Sequence, residues 1–215
     1  MKSIIKNASL MLLSLVLVLS FCVTPVRAAG FSVGTTEGDT YANEFFGKKI
    51  VLPKGYTFLE GQELATQSGT PLKELNDPAG LVKTIDGGDS VIICYAFDST
   101  GKNNINVSLA KIDMDNEQEV MNILKDFLSD LYSSSGYVVN KLEVNKKKVA
   151  GEDHYVLSAD LSIGDVDCYQ EAVTFLKDGY AMTLTASAFT TDETGKAIAN
   201  IENTNISLDT KATNG

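Results

Sequence analysis

Hydrophobic positions change their spacing several times along this chain, and each change marks an element. The first 28 residues set Lys2 and Lys6 ahead of a mostly apolar run of 14 residues, Leu10 to Val23, which ends in the small-residue exit Val26-Arg27-Ala28. That run falls short of the roughly 18–20 residues needed to cross a bilayer, so residues 1–28 read as a secretory signal peptide. Cleavage after Ala28 and release is the expected outcome. Two alternatives stay open: an uncleaved anchor, suggested by the awkward Arg27, and a lipoprotein held through Cys22, which Phe21 disfavours. Residues 29–41 are rich in Gly, Ser, Thr and acid and predict a flexible leader, and residues 209–215 predict a disordered tail. Residues 42–208 show no linker or repeat, and their number suits one domain.

Inside that domain, Phe45–Leu52 has the β-branched and aromatic content of a first strand or hairpin. Short helical segments follow near Glu60–Gln67 and Pro71–Leu81, the second interrupted by Pro78 and Gly80. Val91–Phe97 is almost continuously apolar, as in a strand covered on both faces. Ile105–Ile112 alternates, with Ile105, Val107 and Leu109 opposite Asn106, Ser108 and Ala110. Asp98–Asn104 supplies the turn, so the two form a hairpin. From Asn116 to Ser133, Val120, Leu124, Phe127, Leu128 and Leu131 recur at helical spacing, with Asp115 and Gln118 placed as a capping box and Gly136 as the stop.

The chain then turns to strands. Tyr137–Val144, Tyr155–Ile163, Val166–Leu176 and Tyr180–Phe189 follow one another through tight turns such as Gly164-Asp165 and Asp178-Gly179. A last helix is expected from Thr190 or Thr191 to about Asn203, with Thr190 and Glu193 as its capping box. Tight turns cannot make parallel crossovers, and helices and strands are segregated along the chain. An α+β fold with a mainly antiparallel sheet follows.

Charge narrows the partners. Removing Lys2, Lys6 and Arg27 with a leader that holds no acid takes the net charge from −10 to −13. Such a surface repels phosphate backbones and anionic headgroups, so neither nucleic acid nor a membrane beyond the signal segment is expected as partner. The basic run Lys146-Lys147-Lys148 reads as a solvated turn. Cys94 and Cys168 remain after processing, both in strand-like surroundings, and whether they form a disulfide is left open. Without a C-x-x-C pair there is no support for redox or zinc chemistry.

Several turns and strands resemble a known family. Leu52-Pro53-Lys54-Gly55-Tyr56 resembles the Pro-x-Gly-aromatic turn near the start of PsbP-like domains, the family of the extrinsic photosystem subunit and its bacterial relatives. Gly151–Tyr155 with Val156-Leu157, Tyr169–Thr174, and the segment from Lys177 through Asp178 and Gly179 to Thr185 resemble that family's closing strands. The likeness spans about Phe45 to Leu208 and is nearest to small secreted bacterial members. It implies an α-β-α sandwich around a central antiparallel sheet, in proteins that act by docking onto partners. It carries over no reaction, cofactor or partner residue.

Candidate chemistry is sparse. His154 is the only histidine, so a Ser-His-Asp or Cys-His relay would pass through it, but the head of a strand predicts a solvent-facing edge residue. Asp113, Asp115, Glu117 and Glu119 are spaced like an EF-hand opening, yet Gln118 and Leu124 stand where that loop needs glycine and glutamate. Acid at a helix start is explained by the macrodipole, and Asp165 and Asp167 by their turn. Gly87-Gly88 reads as a turn, not a phosphate loop. Ser158, Asp160 and Ser162 on one strand, with Thr183, Thr185 and Ser187 on another, are expected to line a shared polar surface if the strands lie near each other.

No catalytic, cofactor-binding or metal-binding residue is assigned on these grounds, and no cofactor is expected. The reading is a secreted or envelope-associated bacterial module, monomeric and non-enzymatic, that binds a protein or glycan partner. The alternatives are a small extracellular hydrolase using paired carboxylates and a weak calcium-binding extracellular protein.

Overall fold

The computed structural model describes residues 30–204, so the signal segment 1–28 and the tail 209–215 lie outside the described residues. Three short strands open the chain: β1 (Thr35–Glu37), β2 (Thr40–Asn43) and β3 (Lys48–Val51). With a closing strand, β11 (Ile201–Asn203), they form a small antiparallel sheet in the order β1-β2-β3-β11. The larger sheet holds β4 (Tyr56–Phe58), β5 (Val91–Asp98), β6 (Asn104–Lys111), β7 (Val138–Val149), β8 (Glu152–Ile163), β9 (Val166–Lys177) and β10 (Tyr180–Phe189). Its order is β4-β5-β6-β10-β9-β8-β7 and every pairing is antiparallel. The α+β class follows directly.

Register decides what each face of the large sheet carries. Val156 pairs with Val173, Val173 with Leu184 and Leu184 with Val107, so these four share one face. Over them pack the small sheet, α3 (Pro78–Asp86) through Leu81, Val82 and Ile85, and α5 (Thr194–Ala199) through Ala197 and Ile198. On the opposite face α4 (Glu117–Ser134) lays Met121, Leu124, Leu128 and Tyr132 on Leu157, Leu161, Cys168 and Ala172. Beside it α1 (Gly61–Ser68) sets Leu64 against Ile92 and Tyr95 of β5, and the short α2 (Leu72–Leu75) links α1 to α3. Helices therefore cover both faces of the central sheet, with the small sheet added on one side.

Proline chemistry splits the second helical segment as its residues predict. Asp77 accepts from the amide of Gly80 at 3.0 Å, and Pro78 occupies the first turn of α3, where no amide donor is needed. Between β9 and β10, Asp178 and Gly179 take φ of 47° and 81°, the left-handed pair that a tight hairpin requires.

Five expectations are corrected. Residues 30–41 are part of the fold and not a loose leader: Phe31 is 3% exposed and stacks on Tyr180 with ring centroids 3.8 Å apart, and Tyr41 donates to the carbonyl of Val33. Their glycines serve close approach, since a Cβ on Gly34 would sit 2.6 Å from the carbonyl oxygen of Ala42. The basic run is not a turn but the end of β7; an outer strand tolerates lysines, and the turn falls at Ala150-Gly151.

Helix α4 is capped by Asn116, which accepts from the amide of Glu119, and not by Asp115. Its contact face also sits round the helix from the expected stripe, taking in Met121 and Tyr132 and leaving Phe127 and Leu131 46% and 41% exposed. The last helix is only α5. Thr190 takes φ of 73°, Asp192 rather than Thr190 accepts from the amide of Thr194, and the chain goes on into β11 because Ile201 pairs with Ile50.

Candidate functional site

His154 is not a solvent-facing edge residue. Its Nδ1 lies 3.2 Å from Oε2 of Glu117 at the head of α4, its Nε2 lies 3.6 Å from Oε2 of Glu152, and its ring meets Phe175 edge-on at 4.9 Å. Lys48 of β3 bonds Glu152 at 3.2 Å and also reaches Asn203 of β11. These groups line a cleft of about 500 Å³ where α4, β8 and the small sheet meet. The Lys48 hydrogen bond and charge hold the Glu152 carboxyl below the usual range, and His154 adds to that.

The cleft does hold three acids, Asp115, Glu117 and Glu152, beside one histidine, an arrangement a carboxylate hydrolase could use. Its details oppose that chemistry. A general acid needs a raised pKa, whereas that of Glu152 is lowered, and Glu117 is occupied by the Tyr155 amide at 2.8 Å as well as by His154. Nε2 is buried without a hydrogen-bond partner among the described residues, and the only hydroxyl lining the cleft is that of Thr204. A relay lacks a nucleophile within reach of an accessible base.

A second cleft, of about 460 Å³, opens between β7, β9 and α5. At its edge Lys147 pairs with Glu171 and lies 3.3 Å from Oγ of Ser158, which itself donates to Glu171 at 3.0 Å. A serine beside a lysine is a known nucleophile and base pair, but such a lysine must be free to shed its proton. Here the lysine is already engaged in an ion pair with Glu171.

The polar strand positions separate in an unexpected way. Ser158 pairs with Glu171 and Glu171 with Ala186, which puts Ser158, Asp160 and Ser162 on the main-core side of the sheet. Thr185 pairs with Ala172 and Asn106, so Thr183, Thr185 and Ser187 point to the α4 side. Strand β9 lies between the two sets. They line no common surface.

The hydroxyls of β10 share their face instead with Asn104, Asn106 and Ser108 of β6 and with Gln170 and Thr174 of β9. Together they make an uncharged strip, each side chain at most 2% exposed, between the strands under α1 and those under α4. Part of it is satisfied internally. Tyr95 donates to Oδ1 of Asn104 at 3.1 Å, Gln170 donates to Ser187 at 3.0 Å and accepts from Tyr132, and Thr174 and Thr183 bond at 2.9 Å. Burial pushes the Tyr95 and Tyr132 phenols well above their ordinary range. Nδ2 of Asn104, Oδ1 of Asn106 and Oγ1 of Thr185 have no partner among the described residues. Asn104 and Gln170 were detectable only as alternation partners of their strands, and nothing local marks them as a site.

The remaining candidates disperse. Glu117 leaves the acidic string to bind β8, and among the described residues no group of three or more His, Cys, Asp or Glu could hold a metal ion. Cys94 and Cys168 are free and lie in separate cores on opposite faces of the sheet. No described helix is long and apolar enough to cross a membrane.

No family model and no curated protein matches the chain. Among solved structures it is similar to cyanobacterial PsbP (CyanoP) from Synechocystis sp. PCC 6803. That match has 15% identity and a TM-score of 0.44, over 84% of this chain and 99% of the other. It is also similar to LpqN, involved in cell envelope biogenesis of Mycobacterium tuberculosis, at 12% identity and a TM-score of 0.38, over 72% of this chain and 82% of that one. Neither match transfers a residue role to this chain.

Proposed function

We propose that this protein is a non-enzymatic binding module, exported by its leader to act as a monomer at or beyond the cell envelope, and that it engages its partner over the neutral strip of β6, β10 and β9. The observation that carries this reading is the set of three buried polar atoms on adjacent strands, at Asn104, Asn106 and Thr185, that have no partner among the described residues. Buried polar groups are nearly always hydrogen-bonded, so a local cluster of exceptions points to a missing occupant. By contrast, the groups best suited to catalysis are engaged with one another: His154 with Glu117, Glu152 with Lys48, and Lys147 with Glu171.

A photoreactive benzoylphenylalanine at position 127, beside the strip, tests this in secreting cells. Adducts should form from position 127 and not from Tyr56, on β4 at the far edge of the sheet. Absence of adducts at 127, or equal yields at both positions, would remove the envelope role of this strip.

A further inference from the structure

We infer that the strip receives an extended stretch of polypeptide through its main-chain amides, an assignment that rests on the binding-module reading and names its ligand class. Asn106 and Thr185 stand directly opposite each other across β6 and β10, and Asn104 is two residues along β6 on the same face. Each of the three is at most 1% exposed. Leaving such groups unpaired costs about 1–3 kcal/mol apiece, so their clustering is expensive unless something completes it.

The chemistry of the unpaired atoms selects the occupant. They present one amide N–H, one amide carbonyl and one hydroxyl that can play either part. A peptide group has the same complement, one donor and one acceptor, and a carboxamide can meet both. Same-face positions on a strand repeat at about 6.8 Å, which is also the repeat of like-directed amides in an extended peptide lying along it. The floor holds no ionisable group between Asn104 and Ser108 or between Thr183 and Ser187, so it does not select a phosphate or a charged side chain.

The wall of the strip fits the same ligand. Val120 of α4 packs with Ala181 of β10 and with Ile112, so that flank of the helix faces the strip. Phe127 and Leu131 follow Val120 by seven and eleven residues, within about 20° of it around the helix axis. They are large, apolar and exposed, and an extended peptide bound by its amides would lay alternate side chains on them. The charge of the chain without its leader, −13 from the −10 of the whole chain, favours a segment flanked by Lys or Arg. Because the floor is buried, occupancy requires the strip to be uncovered between α1 and α4, which predicts slow association.

Main-chain recognition tolerates sequence, so a single probe suffices: the labelled decapeptide Lys-Lys-Thr-Val-Thr-Val-Thr-Val-Lys-Lys, compared with maltohexaose by NMR and fluorescence anisotropy on the secreted protein. The peptide should shift the side-chain amide signals of Asn104 and Asn106. Thr185→Val should weaken binding at least tenfold while its thermal midpoint holds or rises, because an unpaired hydroxyl is removed. Phe127→Ser, at an exposed position, should weaken binding without affecting the fold. Unchanged amide signals at saturating peptide would overturn the proposal, as would full affinity in both variants. Shifts with maltohexaose alone would overturn the peptide assignment and leave the binding-module reading standing, whereas failure of the crosslinking with intact peptide binding would remove the envelope role alone.

Discussion

Glu117 ties the head of α4 to β8 by holding His154 through one carboxylate oxygen, 3.2 Å from Nδ1, and the neighbouring Tyr155 amide through the other, at 2.8 Å. An acid at a helix start is ordinarily a local matter of capping and dipole, but this one is a tertiary clamp. Glu117→Ala should therefore cost about 1–3 kcal/mol by leaving a strand amide unpaired. Glu119→Ala, two residues on and exposed, should stay within about 0.5 kcal/mol, as surface changes usually do. Urea denaturation of the two variants separates the clamp from a generic helix effect.

Asp98 organises the β5–β6 turn. Its carboxylate accepts from the amides of Thr100, Lys102 and Asn103 and from the side chains of Thr100 and Asn103. Partial burial alone would raise its pKa, but these hydrogen bonds outweigh it and hold the group below the ordinary carboxylate range. A depressed folded pKa contributes stability that is present above the unfolded value and lost as pH falls through the folded one. Asp98→Asn should flatten this acid limb of the stability profile, and Asp98→Ala should cost about 1–2 kcal/mol at neutral pH. Denaturation midpoints from pH 7 downward read both effects.

The two thiols of the domain should be inert. Burial pushes Cys94 far above the usual thiol range; burial, followed by the nearby Asp167 charge, pushes Cys168 up to about 12. With the sheet between them no bridge can close. Iodoacetamide at pH 8 should leave both unmodified in the native protein and alkylate both in urea. Native labelling of either, or a mass deficit that disappears on reduction and so shows a Cys94–Cys168 disulfide, would contradict the packing.

Neighbouring residues of α4 should respond oppositely to truncation. Leu128 is fully buried under the sheet, so Leu128→Ala should cost about 2–5 kcal/mol through lost burial and the cavity left behind. Phe127 is 46% exposed, and Phe127→Ser should change stability by no more than about 0.5 kcal/mol. Thermal melts of the two variants test which flank of the helix carries the fold.

Much of the architecture was legible because it rests on local rules. The alternation in β6, the apolar run of β5, the period of α4 and the Asp178-Gly179 turn each state their element within a dozen residues, and the antiparallel sheet follows from joining them. What was misread depends on partners. β1 is fully exposed and polar, so it becomes a strand only by pairing with β2. Lys146, Lys147 and Lys148 have the composition of a turn, yet Asp153, Glu171 and the ring of Tyr155 hold them on an outer strand.

The candidate site was less legible still, since its members come from β6, β9 and β10 and meet only through strand order. What could be read from the chain alone is the strands β5 and β6, the helix α4 and the Asp178-Gly179 turn, because periodicity and turn geometry act over a few bonds. Tertiary structure alone decided that Thr185 faces Asn106 and turns away from Ser158, and that His154 is enclosed by Glu117 and Glu152. Which side chains become neighbours is set by register between strands far apart in the chain, and a shift of one residue would send every side chain of a strand to the other face.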